Sequence, residues 1–170
     1  MIEYEIVDEF PTTPDKYWEM FFSDAYNAAL WQHLDIEREV ITFRREGEGA
    51  SEVIHRTQKL TPKRDVPSAL RRLVKDAISY EERNVWRRAS NSMEVVTIPN
   101  FFADKFTATG VYRLEAVGDD RLKRIWTAKT ECRVPLVGGK VESHIVEEVK
   151  RSYQATTIFT RKWIAEHINN

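Results

Sequence analysis

The sequence predicts an α+β fold in which one large, mostly antiparallel sheet is covered by a long C-terminal helix. Three observations carry this expectation. Two-residue alternation of apolar and polar side chains recurs in seven stretches between residues 2 and 134. From about Lys140 the period changes to 3.6 and holds to His167. The chain has 170 residues, 42% apolar and 31% charged, which suits one core and a single domain spanning 1–170.

Each element has a local reason. Ile2, Tyr4, Ile6 and Asp8 alternate with Glu3, Glu5, Val7 and Glu9, which predicts a half-buried first strand. Pro11 and Pro14 end it. Thr13 is placed to cap a helix that begins at Pro14, with Asp15 favourable to the helix dipole. Tyr17, Trp18, Phe21 and Phe22 follow at helical spacing, and a second short helix is expected from Asp24 to His33. Strands near 35–46 and 50–61 then form a hairpin around Gly47-Glu48-Gly49. Residues 62–76 interrupt the strands and carry a short amphipathic helix over Pro67–Lys75. Four more strands are expected at 77–89, 92–99, 104–116 and 121–134, broken at 89–91, 99–100 and 118–120. The last helix is roughly 40 Å long at about 1.5 Å per residue. Its stripe is Val141, Ile145, Val149, Ser152, Thr156, Phe159 and Trp163.

Composition excludes several functions. Lys and Arg total 26 against 27 Asp and Glu, a net charge of −1, which argues against a general nucleic-acid affinity. The single cysteine, Cys132, permits no internal disulfide and no cysteine-based zinc site, and suits a reducing compartment. The acidic, alternating start is no secretory leader, and no apolar run approaches the ~20 residues of a membrane span. The expected location is therefore cytoplasmic, with membrane contact only peripheral. His33, His55, His144 and His167 form no HExxH pattern. His33 suits a helix C-terminus, where a cation meets the dipole. Neither a Gly-x-Ser-x-Gly elbow nor a phosphate-cradling glycine loop occurs. The sequence thus predicts no metal, no cofactor and no catalytic constellation.

Two stretches carry a family resemblance. Phe10-Pro11-Thr12-Thr13-Pro14-Asp15-Lys16-Tyr17-Trp18 looks like the strand-to-helix entry of the START-like (SRPBCC, helix-grip) superfamily. Arg133-Val134-Pro135-Leu136-Val137-Gly138-Gly139-Lys140-Val141-Glu142 closely resembles the last-strand-to-helix junction of one bacterial family of unknown function in that superfamily. The resemblance covers the whole chain. A weaker similarity, to PRELI-type phospholipid carriers, lies in the strand order and in a lid inserted between strands, here 62–76. What the resemblance implies is a curved sheet gripping the C-terminal helix, with a cavity for a hydrophobic ligand between them. It implies no reaction, because the superfamily holds carriers, sensors, cyclases and oxygenase subunits.

Strand parity names the candidate lining. Ile78, Tyr80, Glu82, Asn84 and Trp86 share one face, as do Phe106, Ala108, Gly110, Tyr112 and Leu114, and Trp126, Ala128, Thr130 and Cys132. Opposite stand Val141, Ile145, Val149, Ser152, Thr156 and Phe159. The small residues Ala108, Gly110, Ala128, Ser152 and Thr156 leave room for a guest among large rings. The competing reading is a solid core in which they accommodate Trp86 and Trp126. Glu82 either pairs with Arg56 or Arg38, or lies wet where the strand twists outward; the rarity of buried charge favours the wet position. Gly138 and Gly139 suit a sharp strand-to-helix turn.

The 62–76 segment sets Lys63, Arg64, Arg71, Arg72 and Lys75 against Asp65, with Leu70, Leu73 and Val74 as its apolar face. A lid touching anionic headgroups through Leu70, Arg71, Arg72, Leu73 and Lys75 would fit, as would a solvated surface helix. The leading functional expectation is binding of a hydrophobic or amphipathic, lipid-like small molecule, by a carrier or sensor rather than an enzyme. The alternatives are a polyketide cyclase or hydrolase using Glu82 or Tyr112 as acid or base, and an interaction module with a filled core.

Overall fold

A computed structural model describes residues 1–63, 78–101 and 103–169. Its elements run β1 (Ile2–Phe10), α1 (Pro14–Phe22), α2 (Asp24–His33), β2 (Ile36–Glu46), β3 (Val53–Pro62), β4 (Tyr80–Arg87), β5 (Ser92–Pro99), β6 (Phe106–Val117), β7 (Arg121–Cys132) and α3 (Gly138–His167). One open antiparallel sheet holds the strands in the order β1-β7-β6-β5-β4-β3-β2. Every consecutive pair from β2 to β7 is a direct neighbour, and β1 returns to lie against β7, with Ile2 opposite Thr130 and Phe10 opposite Leu122. This is the START-like helix-grip arrangement the sequence predicts. Among the described residues, no helix is long and apolar enough to cross a membrane.

The helices form where local chemistry asks for them. Thr13 Oγ1 accepts from Lys16 N at 3.4 Å, with Pro14 opening α1. Ser23 serves both short helices: its N–H donates to Met20 O at the end of α1, and its hydroxyl accepts from Tyr26 N at the start of α2. Asn27 ties the joint by donating to Phe21 O and Ser23 O, both at 2.8 Å. His33 sits in the last turn of α2, its ring 4.9 Å from that of Phe159.

Differences from the expected boundaries are small and have causes. β3 starts at Val53 because Gly49–Ser51 form a 3-10 turn inside the hairpin. β4 starts at Tyr80 rather than 77. α3 starts two residues early, at Gly138, where a Cβ would stand 2.2 Å from Cys132 O. Only glycine permits that approach. Glu142 completes the joint, accepting from Cys132 N at 2.7 Å and from the Met1 amino group at 2.8 Å. Those bonds hold its carboxyl below the usual carboxylate range. The junction that carries the family resemblance therefore pins the strand to the helix.

α3 also sits rotated from its expected face. Its fully buried residues are Gly138, Val141, Glu142, Val146, Thr157, Thr160 and Ile164. Val149, Ser152, Thr156 and Trp163, expected on the buried stripe, are only half-buried. The first three face an open space.

Candidate functional site

A cavity of about 490 Å³ lies between the sheet, α3 and the two short helices. β4 contributes Tyr80 and Glu82 to its wall, β6 contributes Phe106, Ala108 and Tyr112, and β7 contributes Trp126, Ala128 and Thr130. From α3 come Ile145, Val149, Ser152 and Thr156. Most of the sequence-derived lining thus converges on one space. The alternation of strand side chains and the regular register from β4 to β7 keep those parities intact.

Six expected lining residues stand elsewhere: Asn84, Leu114 and Cys132 are buried away from the space, and Trp86, Val141 and Phe159 pack as follows. Trp86 is 2% exposed and packs into the core against Trp18 and Phe22, with ring centroids 5.8 Å away in both cases. α1 covers that end of β4, so nothing is left open there. Val141 is buried in a separate small cluster with Phe106 and Cys132, at the first turn of α3. Phe159 turns toward α2, with Tyr26 at 6.1 Å and His33 at 4.9 Å. A further correction concerns Gly110. A Cβ there would meet the Trp126 ring at 2.1 Å, so the indole already fills the gap this glycine leaves. The basic segment residues Leu70, Arg71, Arg72, Leu73 and Lys75 lie outside the described residues.

Glu82 does not twist away to solvent. Its Oε1 accepts from Gln58 Nε2 at 2.9 Å and from Asn84 Nδ2 at 3.0 Å. Gln58 Oε1 in turn accepts from Arg38 Nε at 2.7 Å, and Asn84 Oδ1 from Arg56 Nε at 2.9 Å. Both candidate arginine partners are present, each one amide removed. Cross-strand register builds the cluster, since Arg56 stands opposite Asn84 and Gln58 opposite Glu82. The Arg56 guanidinium lies over Phe21 and Phe22, 5.0 and 5.2 Å from the ring centroids. Burial pulls its pKa down to about 10, against the upward pull of Glu82, so it remains a cation at neutral pH.

A second polar group surrounds Arg124, which is 2% exposed. It donates to Asp8 Oδ2 at 2.6 Å, Thr157 Oγ1 at 2.9 Å and Tyr17 Oη at 3.1 Å. The Tyr112 and Tyr153 rings lie 5.8 and 5.3 Å from its guanidinium, and the Tyr153 hydroxyl donates to that of Tyr112. Burial pushes both phenols well above their ordinary pKa, so they keep their protons.

Sequence reasoning missed Arg124 and Tyr153, and it missed the α1–α2 wall residues Tyr17, Phe21, Tyr26 and Leu30. It named Arg56 only as a partner for Glu82, not as part of the wall. A signal existed for Arg124: it shares the parity of Trp126 and Ala128, a charge on an otherwise apolar face. Arg56 likewise alternates with Ile54 and Leu60 on the buried side of β3. Nothing in the chain's local pattern assigns the short helices to the cavity wall, because that depends on how they dock.

Solved structures share this architecture over nearly the whole chain. The TTHA0849 protein of Thermus thermophilus is 14% identical with a TM-score of 0.66, over 98% of this chain and 99% of that one. The Zhui aromatase/cyclase of a Streptomyces species is 11% identical with a TM-score of 0.62, over 96% and 95%. A START superfamily protein of Mycobacterium smegmatis is 11% identical with a TM-score of 0.58, over 91% and 94%. At such identities the likeness shows the fold. No curated protein sequence matches the chain. One family model does, over residues 5–164, and its description is "Protein of unknown function (DUF2505)". The chain therefore belongs to the DUF2505 family and carries the START-like fold.

Proposed function

We propose that the protein binds a hydrophobic or amphipathic, lipid-like small molecule in the cavity beneath α3, as a carrier or sensor. The observation that carries this is the 490 Å³ space itself, walled by aromatic and small apolar side chains and ending in two hydrogen-bonded polar groups. Removing about 200–400 Å² of apolar ligand surface from water offers roughly 5–10 kcal/mol before ordering costs, enough for micromolar affinity. A cavity of this size also speaks against an interaction module with a filled core. Native mass spectrometry of freshly purified protein, followed by organic extraction, tests the reading. A discrete extra mass of lipid-like chemistry is expected. Protein that carries none, and that takes up neither a fluorescent fatty acid nor a fluorescent sterol, would overturn it.

A second reading has a specific observation in its favour. Glu82 and Tyr112, the acid–base candidates of a cyclase or hydrolase, line the same cavity, and the fold is shared with an aromatase/cyclase. With its phenol held protonated, Tyr112 suits a proton donor rather than a base. Turnover of a polyketide-like substrate that is abolished by Tyr112→Phe would establish this reading; binding without turnover excludes it. Peripheral contact of the 62–76 segment with an anionic membrane is a separate proposal, resting on the segment's charge. Co-sedimentation with phosphatidylglycerol vesicles, lost when Arg71 and Arg72 become Gln, is its test.

A further inference from the structure

The two edges of the sheet differ. β1 forms one edge, and α3 reaches its backbone there: Arg161 Nε donates to Glu9 O at 3.1 Å. β1 also carries Glu3, Glu5, Asp8 and Glu9 with no basic residue, so it repels a second strand of its own kind. β2 forms the other edge. Among the described residues, no backbone group of Ile36–Glu46 makes a hydrogen bond outside the ladder with β3. Val40, Ile41 and Phe43 stand 44, 49 and 48% exposed along it. An exposed apolar edge with free N–H and C=O groups is a template for another strand.

The charges on β2 select which strand fits. Its neighbours on β3 fix the faces: Arg38, Val40, Phe43 and Arg45 stand opposite the buried Leu60, Gln58, Arg56 and Ile54, so they share the helix-covered side. Glu37, Glu39, Thr42 and Arg44 share the other side, and Ile41 is the extra residue of a bulge. When two copies of β2 pair antiparallel, residues of one face must meet residues of the same face. Two registers satisfy this. One sets Arg38 against Arg45 and Glu37 against Glu46, both like-charged. The other sets Glu37 against Arg44, Arg38 against Phe43, Glu39 against Thr42 and Val40 against Ile41. It opposes no like charges, and its two-fold axis falls between Val40 and Ile41, so the exposed apolar residues of both copies meet at the centre. The ion pair that Arg44 makes with Glu46, at 2.8 Å, is exposed and weak enough to yield.

From these edges we infer that the protein self-associates as a two-fold dimer through β2, the partner being a second copy of this chain paired antiparallel over Glu37–Arg44. The β1 edges stay covered and mutually repulsive, so the assembly closes at two and does not grow into a fibre. The pairing joins two sheets into one and sets both cavities on the same face of it. None of Glu37–Arg44 lines the described cavity, so the dimer stands or falls independently of ligand binding.

Sedimentation velocity of the full chain, from micromolar to near-millimolar concentration, tests this. A monomer–dimer equilibrium is expected. Ile41→Lys places two lysines beside the axis and should weaken the dimer at least about tenfold. Glu37→Arg and Arg44→Glu should each weaken it about tenfold, since each sets like charges opposite one another twice per dimer. The two together restore opposite charges and should return the dissociation constant to within about threefold of wild type. A monomer at every concentration overturns the proposal, as does growth beyond the dimer. A dimer that Ile41→Lys leaves unchanged has its interface elsewhere, and charge variants whose losses add instead of cancelling reject the register; either result overturns it too. Circular dichroism checks that each variant is folded, and if Ile41→Lys is not, the charge exchange decides.

Discussion

The face of the sheet beneath the helices has a filled end and a hollow end, and both contain tryptophan and phenylalanine. At the filled end, Trp86 on β4 meets Trp18 and Phe22 of α1 with centroids 5.8 Å apart, and rings occupy the space between sheet and helix. At the hollow end, Ala108 of β6 stands between Thr97 of β5 and Thr130 of β7, and the helix above offers Val149, Ser152 and Thr156. Small residues face small residues there, so no side chain reaches the middle. One small residue facing a large ring gives no cavity: at Gly110 the Trp126 indole folds over and closes the gap. A void needs short side chains on both facing elements at the same height, because close packing otherwise removes it.

The largest effect should come from emptying the filled end. Trp86→Ala is expected to cost about 3–5 kcal/mol in denaturant unfolding, as removal of a fully buried ring leaves an unfilled volume. A cost below about 1 kcal/mol would mean the two ends are not distinct. Filling the hollow end should act on binding instead. Ala108→Phe should lower affinity for a fluorescent lipid probe by about 100-fold while moving stability by no more than about 1 kcal/mol. Retained uptake would show that the ligand sits elsewhere. At the border between the ends, Gly110→Ala should cost about 1–3 kcal/mol through collision with Trp126, and Trp126→Leu in the same chain should recover part of it. Additive costs in that double-mutant cycle would break the assignment of Gly110 to Trp126. The smallest effect belongs to the phenol pair. Tyr153→Phe removes one half-buried hydrogen bond to Tyr112 and should cost about 1 kcal/mol by thermal or denaturant unfolding.

This contrast explains what sequence could and could not reveal. The strands, the capped α1, the bounds of α2 and the long α3 follow from periodicity and from Thr13 and Pro14, which act locally. The lining from β4, β6 and β7 follows from parity, because no bulge interrupts those pairings. Trp86 obeys parity too and still misses the cavity, since parity gives the face of a strand and not what covers it. Covering is set by how α1 docks, a long-range matter. Phe159 shows the same limit on α3: the rotation of the helix turns it toward Tyr26 and turns Tyr153 inward. The rarity of buried charge points Glu82 outward, but two amides opposite and beside it on β3 and β4 satisfy it in place.

Whether the hollow end is where a guest lodges can be seen residue by residue in a methyl-resolved NMR titration of the full chain with 1-decanol. Shifts are predicted at Ala108, Ala128, Thr130, Val149 and Thr156, which line the hollow end, with the packed core methyls of Met93 and Leu122 unmoved. Shifts confined to the exposed edge-strand residues Val40 and Ile41, or shifts spread evenly through the core, would contradict binding there.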